Sequence, residues 1–339
     1  MMRHVVSGLA AAAFASVAMA QQPDPFGRQF IPSERNRGIT WGLDDRLAFL
    51  GQKLFFDARL SGTGTTACAS CHDPSYAFAE PRRVSMSDGG QHGRRNAPSL
   101  LDVGFLPTLM WDGRFRTLER QALSPFQRGE MGIGVDQAVQ RVSSDLQYVQ
   151  LFRAALGRRP TADGVARALA AFQRTLFSPA SRVDRFLMNN EAAILTPLEQ
   201  HGFYVFKHRA ACSNCHQLFP IRPDGRESSR PLLTDFRFHN LGVGYRFGGF
   251  ADTGRHAVSH LNAEWGEFRT PSLRNSAKTP PYMHDGSLAT LEDVVEFYSA
   301  GGQPNPNLSP LIRPLFLDGY EKAALVAFLR ALSDTDCEC

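Results

Sequence analysis

The sequence predicts an all-α protein of two helical domains related by internal duplication. Three observations support this prediction. A Cys-x-x-Cys-His pentad occurs twice, at residues 68–72 and 212–216. Matching blocks of residues flank each pentad in the same order. The apolar positions in these blocks recur at helical spacing, and such a repeat indicates one structural unit that is used twice.

Each pentad carries the covalent attachment signature of a c-type haem. Two thiols form thioethers with the haem vinyl groups, and the adjacent histidine becomes an axial ligand of the iron. The attachment residues are Cys68 and Cys71 in the first pentad and Cys212 and Cys215 in the second, and the axial ligands are His72 and His216. Two thiols and a histidine can also bind zinc. Two complete copies favour two covalent haems, one in each of two cytochrome-c-like domains.

Two of the repeated blocks predict helices on either side of the haem sites. The pattern L-x3-G-x2-[LV]-F occupies residues 47–55 and 198–206, and its apolar spacing predicts a helix that leads into each pentad. The pattern A-L-x2-F-x-R-x-L occupies residues 168–176 and 324–332. Its apolar positions predict an amphipathic helix that closes each domain.

A third block lies between these helices and holds the main difference between the copies. Pro98 and Pro271 each begin P-S-L, and M-x-D-G and T-L-E follow at the same spacing in both copies. Eight residues beyond the threonine of T-L-E, the first copy has Pro125 and the second has Tyr298. If this position faces the iron, the second haem gains an oxygen ligand and the first has no donor there.

This difference predicts two haems with different tasks. An open iron can bind peroxide, whereas a six-coordinate iron relays electrons, so the N-terminal haem should be the reactive one. Gln121 and Glu130 lie near Pro125 in the sequence, and polar groups at an open site can transfer protons. The rival ligands for the second haem are Met283, His239, His256, His260 and His284. Met110 is the equivalent of Met283 in the first copy, which assigns Met283 to the shared scaffold and favours Tyr298.

The N-terminus predicts export from the cytoplasm. A basic start at residues 1–4, an apolar stretch at residues 5–20 and the sequence A-x-A at Ala18–Ala20 are typical of a secretory signal peptide cleaved after Ala20. Export of a protein with c-type haem sites predicts the bacterial periplasm. No later run reaches the roughly 18 apolar residues of a spanning helix, so no membrane span is expected. The formal net charge is only +4, which gives no argument for a nucleic-acid partner.

These observations together predict a division of the chain. The segments are a signal peptide at 1–20, an N-terminal extension at 21–42, an N-terminal haem domain at 43–178, a linker at 179–193, a C-terminal haem domain at 194–334 and a tail at 335–339. The tail holds Cys337 and Cys339, for which the favoured interpretation is a frayed end without a function, and the alternatives are a disulfide or an adventitious metal contact.

From about Leu43 to Asp334 the sequence resembles the bacterial dihaem cytochrome c peroxidases, and within them the MauG-like branch. Besides the pentads, the shared motifs are W-D-G-R at 111–114, Q-x3-P at 121–125 with E-M-G at 130–132, F-R-T-P-S-L-R-N at 268–275 and P-Y-M-H-D-G at 281–286. The resemblance implies that the N-terminal haem reacts with peroxide and that the C-terminal haem relays electrons. It also implies that Trp111 connects the two haems. Ordinary peroxidases carry methionine at the position of Tyr298, whereas MauG-like members carry tyrosine.

The resemblance implies an enzyme that activates hydrogen peroxide with Glu130, Gln121, Pro125 and Trp111. It would withdraw electrons from a periplasmic partner protein for oxidative modification, such as maturation of a tryptophan-derived cofactor. One alternative is a cytochrome c peroxidase that reduces peroxide with electrons from a small cytochrome or cupredoxin. Another is a non-catalytic dihaem electron carrier. Pro125 argues against the carrier, because a carrier gains nothing from an open coordination site.

Two further expectations come from the resemblance. A calcium ion would lie between the domains, held by the side chain of Asn96 and the backbone carbonyls of Thr279 and Pro281, since calcium prefers oxygen ligands. MauG has a surface tryptophan just before its second pentad, but residues 207–211 contain none here. The other indoles are Trp41 and Trp265, which are expected to be packing residues, so the identity of the partner stays open.

Overall fold

A computed structural model describes residues 45–127 and 129–333, all of which belong to one compact unit. The α-helices among these residues are α1 (Asp45–Phe55), α2 (Leu118–Ala122), α3 (Ser124–Gln127), α4 (Val135–Ser144), α5 (Leu146–Leu156), α6 (Ala162–Arg174), α7 (Arg182–Met188), α8 (Pro197–Tyr204), α9 (His256–Ser259), α10 (Leu291–Ser299) and α11 (Gly319–Ala331). The helix α8 continues into a π-helix at Val205–Arg209. The signal peptide, Trp41 and the two tail cysteines lie outside the described residues.

The two halves of the chain repeat one close contact between helices. Gly51 in α1 faces α6, where an added Cβ would overlap the carbonyl oxygen of Ala168. Gly202 in α8 faces α11, where an added Cβ would overlap the carbonyl oxygen of Ala324 in the same way. Only glycine allows the backbones to approach so closely, so this spacing explains the glycine in both copies of the first repeated block.

A second contact also occurs in both halves. The side chain of Arg174 in α6 pairs with Glu119 in α2 at 2.7 Å, and Arg330 in α11 pairs with Glu292 in α10 at 2.6 Å. These are the charged positions of the repeated blocks, so residues far apart in the sequence meet in the same arrangement twice. Pairs that solvent reaches in this way contribute little free energy, and these two are informative because they show the same geometry in both halves.

The halves differ where the sequence has Pro125 and Tyr298. The helix α10 runs without interruption to Ser299 and carries Tyr298 in its last turn. The equivalent helix α2 ends at Ala122, and Pro125 lies in the short separate helix α3. Proline lacks the N–H that continues a helix, which accounts for the break in the first half.

The segment between the two halves is neither extended nor isolated. It contains α7, whose capping residue Ser181 accepts a hydrogen bond from the backbone N–H of Asp184 at 3.2 Å. The carboxylate of Asp184 pairs with Arg274 from the second half at 2.5 Å, and both side chains are buried. Arg274 also lies 3.2 Å from Asp102 of the first half, so this buried cluster ties the two halves together.

Four short strands depart from the all-α expectation. The strands are β1 (Phe238–His239), β2 (Tyr245–Arg246), β3 (Gly249–Phe250) and β4 (Phe268–Arg269). They form two antiparallel pairs, β1 with β4 and β2 with β3. The turn between β2 and β3 uses a positive φ of 81° at Gly248, which favours glycine. Within the described residues, no helix is long and apolar enough to cross a membrane.

Candidate haem sites

Each pentad folds as a single tight turn. Short 3₁₀ helices begin at Cys68 and Cys212, and the backbone N–H of each pentad histidine donates to the carbonyl of the first cysteine, at 3.0 Å for His72 and 2.8 Å for His216. All four cysteines of the pentads are free of disulfides. Burial raises the pKa of Cys68 and Cys212 to about 12, so both are neutral thiols.

The two pentad histidines are held in the same way. The Nδ1 atom of His72 lies 3.1 Å from the carbonyl oxygen of Phe78, and that of His216 lies 3.0 Å from the carbonyl oxygen of Leu233. A ring that donates from Nδ1 leaves Nε2 as the basic atom, which is the arrangement of a metal-binding histidine. Burial lowers the pKa of both rings and keeps them neutral, so both fit the role of iron ligand.

A cavity of about 500 Å³ lies beside the second pentad. Its lining includes Cys215, His216 and Tyr298. Tyr298 reaches this lining from the last turn of α10. Cavities that hold cofactors are commonly about 300–1,000 Å³ and mostly apolar. The volume and the donors therefore fit a covalent haem attached at Cys212 and Cys215. Burial raises the pKa of Tyr298, so its phenol is neutral unless a cation lies next to its oxygen.

Arg269 supplies a buried positive charge to this cavity. The side chain is part of the lining and the residue is only 5% exposed. Its guanidinium donates to the carbonyls of Met110 at 3.4 Å and Thr270 at 3.2 Å, and no carboxylate pairs with it in the described part of the chain. Burial lowers its pKa to about 10. Such a charge calls for an anion, and the propionates of a haem are anions of this kind.

The chain is similar to known proteins over most of its length. The family model described as di-haem cytochrome c peroxidase matches residues 45–192. The chain is 36% identical over 286 residues to the methylamine utilization protein MauG of Methylorubrum extorquens, which covers 84% of this chain and 77% of that protein. It is 35% identical over 323 residues to the cytochrome-c peroxidase IdrP1 of Denitromonas iodatirespirans, with coverage of 86% and 82%.

The chain belongs to the di-haem cytochrome c peroxidase family. Members of this family are haem oxidoreductases that act on peroxide and bind two haems, so the predicted family and the predicted class of enzyme are confirmed. A solved structure described as a MauG-like protein associated with microbial copper homeostasis has a TM-score of 0.77 and 35% identity, and the match covers 86% of this chain and 91% of that one. The relatives carry both the MauG and the peroxidase names.

The residues predicted to serve peroxide activation, Gln121, Pro125 and Glu130, lie in or next to α2 and α3 of the first half. The backbone N–H of Met131 donates to the carbonyl of Pro125 at 3.2 Å, which brings the Glu130 loop next to α3. Glu130 itself is exposed. Burial and the charges of Glu80 and Glu130 raise the pKa of the Cys71 thiol to about 11. The amide Nε2 of Gln121 lies 3.8 Å from the sulfur of Met110. The loop and α3 are thus adjacent, and Glu130 lies within electrostatic reach of the first pentad.

Trp111 connects the first half to the cavity in the second. Its indole N–H donates to the carbonyl of Asn96 at 2.9 Å, and its own carbonyl accepts the backbone N–H of Arg269 at 2.8 Å. The ring is part of the cavity lining. The structure therefore places Trp111 in the wall of the cavity that also holds Cys215 and His216 of the second pentad.

The three calcium candidates lie along the same cavity. Asn96, Thr279 and Pro281 all contribute to its lining. The amide nitrogen of Asn96 donates to the carbonyls of Glu80 at 3.2 Å and Arg82 at 2.8 Å. These bonds orient the side chain and leave its Oδ1 as the atom for a cation. The set offers neutral oxygens, which suits calcium but provides no charge of its own.

The rival iron ligands fall into two groups. His239, His284 and Met283 also line the cavity, whereas His256 and His260 lie in or next to α9, outside that lining. The ring of His284 stacks on Phe268 at 3.5 Å, and that of His239 bonds to the carboxylate of Asp235 at 2.8 Å. These contacts give both rings other partners.

Proposed function

We propose that this enzyme is a periplasmic di-haem oxidase of the MauG type. It would activate hydrogen peroxide at the N-terminal haem on His72 and withdraw electrons from a partner protein through the C-terminal haem on His216 and Tyr298. The observation that supports this best is the asymmetry between the halves. Tyr298 shares a cavity with the second pentad, whereas Pro125, with no donor atom on its side chain, occupies the equivalent position in the first.

The N-terminal haem supplies an iron that binds and reduces peroxide. The chain supplies the proton transfer. Glu130 would accept a proton from one oxygen of the peroxide and return it to the other, which would then leave as water. Gln121 hydrogen-bonds the bound peroxide, and Pro125 keeps the binding position free of a protein ligand. Acid–base assistance of this kind typically contributes about 10²- to 10⁴-fold in rate.

Electrons for this reaction come from outside the haem pockets. Trp111 lies in the wall beside the second pentad and is the route between the halves. We infer that the partner is a periplasmic protein that undergoes oxidative modification, with tryptophan-derived cofactor maturation as one example. Residues 207–211 contain no tryptophan, so the docking surface differs from that of MauG. A calcium ion held by Asn96, Thr279 and Pro281 would fix the wall between the halves.

The second candidate is a cytochrome c peroxidase that takes electrons from a small cytochrome or cupredoxin. The relatives named cytochrome-c peroxidase favour it, because they are about as similar to this chain as the MauG proteins are. Internal duplication of a cytochrome-c-like domain underlies both candidates, and the repeated helix contacts support it. The two candidates differ in the ligands that they require at the second haem.

Electron paramagnetic resonance of the ferric protein tests the proposed ligands. We expect one high-spin signal from the N-terminal haem and one low-spin signal from the C-terminal haem, both lost after one equivalent of peroxide. Tyr298→Phe removes the phenol oxygen and should change only the low-spin signal. The matched control is Tyr282→Phe, because Tyr282 lines the same cavity but donates to the carbonyl of Ser276. Two low-spin signals that are indifferent to peroxide would refute the open site at Pro125.

A further inference from the structure

The loop that carries Glu130 is held by two other segments of the first half. The carbonyl oxygen of Glu130 accepts the backbone N–H of Asp88 at 2.8 Å. The carbonyl oxygen of Met131 accepts the backbone N–H of Gly62 at 2.8 Å. Two successive carbonyls of residues 129–132 are therefore fixed from two directions, although the side chain of Glu130 is exposed.

The carboxylate of Asp88 joins these two segments to each other. Its Oδ2 accepts the backbone N–H of Thr63 at 2.7 Å, and its Oδ1 accepts the hydroxyl of the same residue at 2.6 Å. Desolvation raises the pKa of Asp88, but hydrogen bonds from Thr63, Thr66 and Ser61 outweigh it and lower the pKa to about 2. The carboxylate is therefore ionised near neutral pH and accepts these bonds as an anion.

Two glycines form the niche around this carboxylate. Gly132 has a φ of +67°, and a Cβ added there would lie 2.7 Å from Oδ2 of Asp88. A Cβ added to Gly62 would lie 2.8 Å from the carbonyl oxygen of Gly132. A side chain larger than hydrogen at either glycine would push apart the Glu130 loop, the hairpin tip at Asp88 and the segment at Gly62 and Thr63. The close approach thus depends on the pair of glycines and on the charge between them.

The two holding segments are themselves fixed. Asp88 lies at the tip of a hairpin in which the backbone N–H of Ser87 donates to the carbonyl of Gln91 at 2.8 Å. The guanidinium of Arg141 in α4 donates to the carbonyl of Gly62 at 3.1 Å. Asp88 therefore links the Glu130 loop to two segments that are themselves held by hydrogen bonds.

We propose that Asp88 is a positioning residue for Glu130. Its carboxylate holds the hairpin tip on Thr63, and its backbone N–H then holds the carbonyl of Glu130 in place. Asp88 does not touch the peroxide. The inference rests on the proposed function, because it takes Glu130 as the proton carrier. Misplacement of such a group by about 1 Å can lower a rate by as much as 10²-fold.

A double-mutant cycle on the full chain with both haems attached tests this role. Stopped-flow absorbance measures the second-order rate constant with hydrogen peroxide for wild type, Asp88→Ala, Glu130→Gln and the double variant. We expect Asp88→Ala to lower the rate constant by about 10-fold or more, and to have almost no effect when Glu130 is already glutamine. Asp88→Asn keeps one acceptor oxygen for Thr63 and should restore part of the rate.

The matched control is Asp163→Ala, which removes a carboxylate that pairs with Arg158 on the surface of the same half. Its rate constant should equal that of wild type. The inference is overturned if Asp88→Ala reacts at the wild-type rate. It is also overturned if Asp88→Ala lowers the rate constant by the same factor in the Glu130→Gln background as in wild type, because general structural damage would have that effect. A wild-type rate for Glu130→Gln alone refutes instead the proton-carrier role within the proposed function.

Discussion

Arg269 shows how a single buried charge can adjust the second haem site. It lines the cavity beside Cys215 and His216, and its guanidinium is bound only to backbone carbonyls within the described residues. A fixed positive charge disfavours the more positive oxidation state of a nearby iron. Arg269 should therefore raise the reduction potential of the C-terminal haem, in opposition to the proposed phenolate ligand, which lowers it.

Replacement of Arg269 by methionine tests this effect. We expect Arg269→Met to lower the midpoint potential of the C-terminal haem by some tens of millivolts, because removal of the cation stabilises the oxidised iron. The other haem should keep its potential. Redox titration followed in the visible spectrum measures both. Arg237→Met is the control, since Arg237 is exposed and its backbone carbonyl accepts the N–H of Thr270, the neighbour of Arg269 in the chain. A shift of equal size in both variants would contradict a specific role for the buried charge.

The residues that sequence reasoning found share one property, and those that it missed share another. The pentad residues act next to one another in the chain, so their spacing alone predicts the attachment of a haem. Arg269 and Asp88 act through partners that are remote in sequence, such as Thr63 for Asp88. Only the family motif at residues 268–275 contained a signal for Arg269. Nothing in the local sequence distinguishes Asp88 from other aspartates in turns.

The helices were predictable for a similar reason. Repeated blocks indicated α1, α6, α8 and α11, because their apolar spacing repeats in both halves. The strands within residues 238–269 were not predicted, since each has two residues and no alternation of apolar and polar positions can be seen over that length. The helix α7 lies within the predicted linker at 179–193, where its short apolar pattern gave no signal.

The helix contact at Gly51 gives a prediction about stability. Gly51→Ala should lower the free energy of unfolding by about 1–3 kcal/mol, because the new methyl group must push α1 away from α6. Gly202→Ala should have a similar effect through α11. The control is Gly319→Ala at the start of α11, where an added Cβ meets no atom and alanine should be neutral or stabilising. Urea unfolding followed by circular dichroism measures all three.

A loss of stability at Gly319 as large as at the other two glycines would contradict this packing explanation. Equal losses at Gly51 and Gly202 would support the view that the two halves are copies of one unit. Unequal losses would mean that one half relaxes around the new methyl group more easily than the other.

The whole molecule depends on a buried cluster of charges where the two halves meet. Arg274 lies 2.5 Å from Asp184 and 3.2 Å from Asp102, and Arg230 lies 3.1 Å from Asp102. The cluster joins two guanidinium groups to two carboxyl groups. Burial raises the pKa of Asp102 despite the nearby charges of Arg230 and Arg274. Removal of one member leaves a buried charge without its partner, which is much more costly than loss of an exposed pair. The union of the halves should therefore depend on Arg274.

Arg274→Met should lower the free energy of unfolding by about 3–5 kcal/mol near neutral pH. Burial raises the pKa of Asp184, but the hydrogen bonds and charge of Arg274 outweigh it, so the folded pKa lies below the ordinary value of 3.8. In wild type, this stabilisation is present above the ordinary value and is lost as the pH falls towards the folded pKa. In the variant, burial alone acts and places the folded pKa above the ordinary value.

Asp184 in the variant should therefore take up a proton in the folded state as the solution is acidified, and the variant should recover part of its lost stability. We expect the difference in free energy of unfolding between wild type and Arg274→Met to be smaller at about pH 4.5 than at about pH 7. Urea unfolding at both values measures it. Arg330→Met, which breaks the exposed pair with Glu292, should cost less than about 1 kcal/mol at either pH. A difference for Arg274→Met that grows on acidification would show that Asp184 is not the group left unpaired.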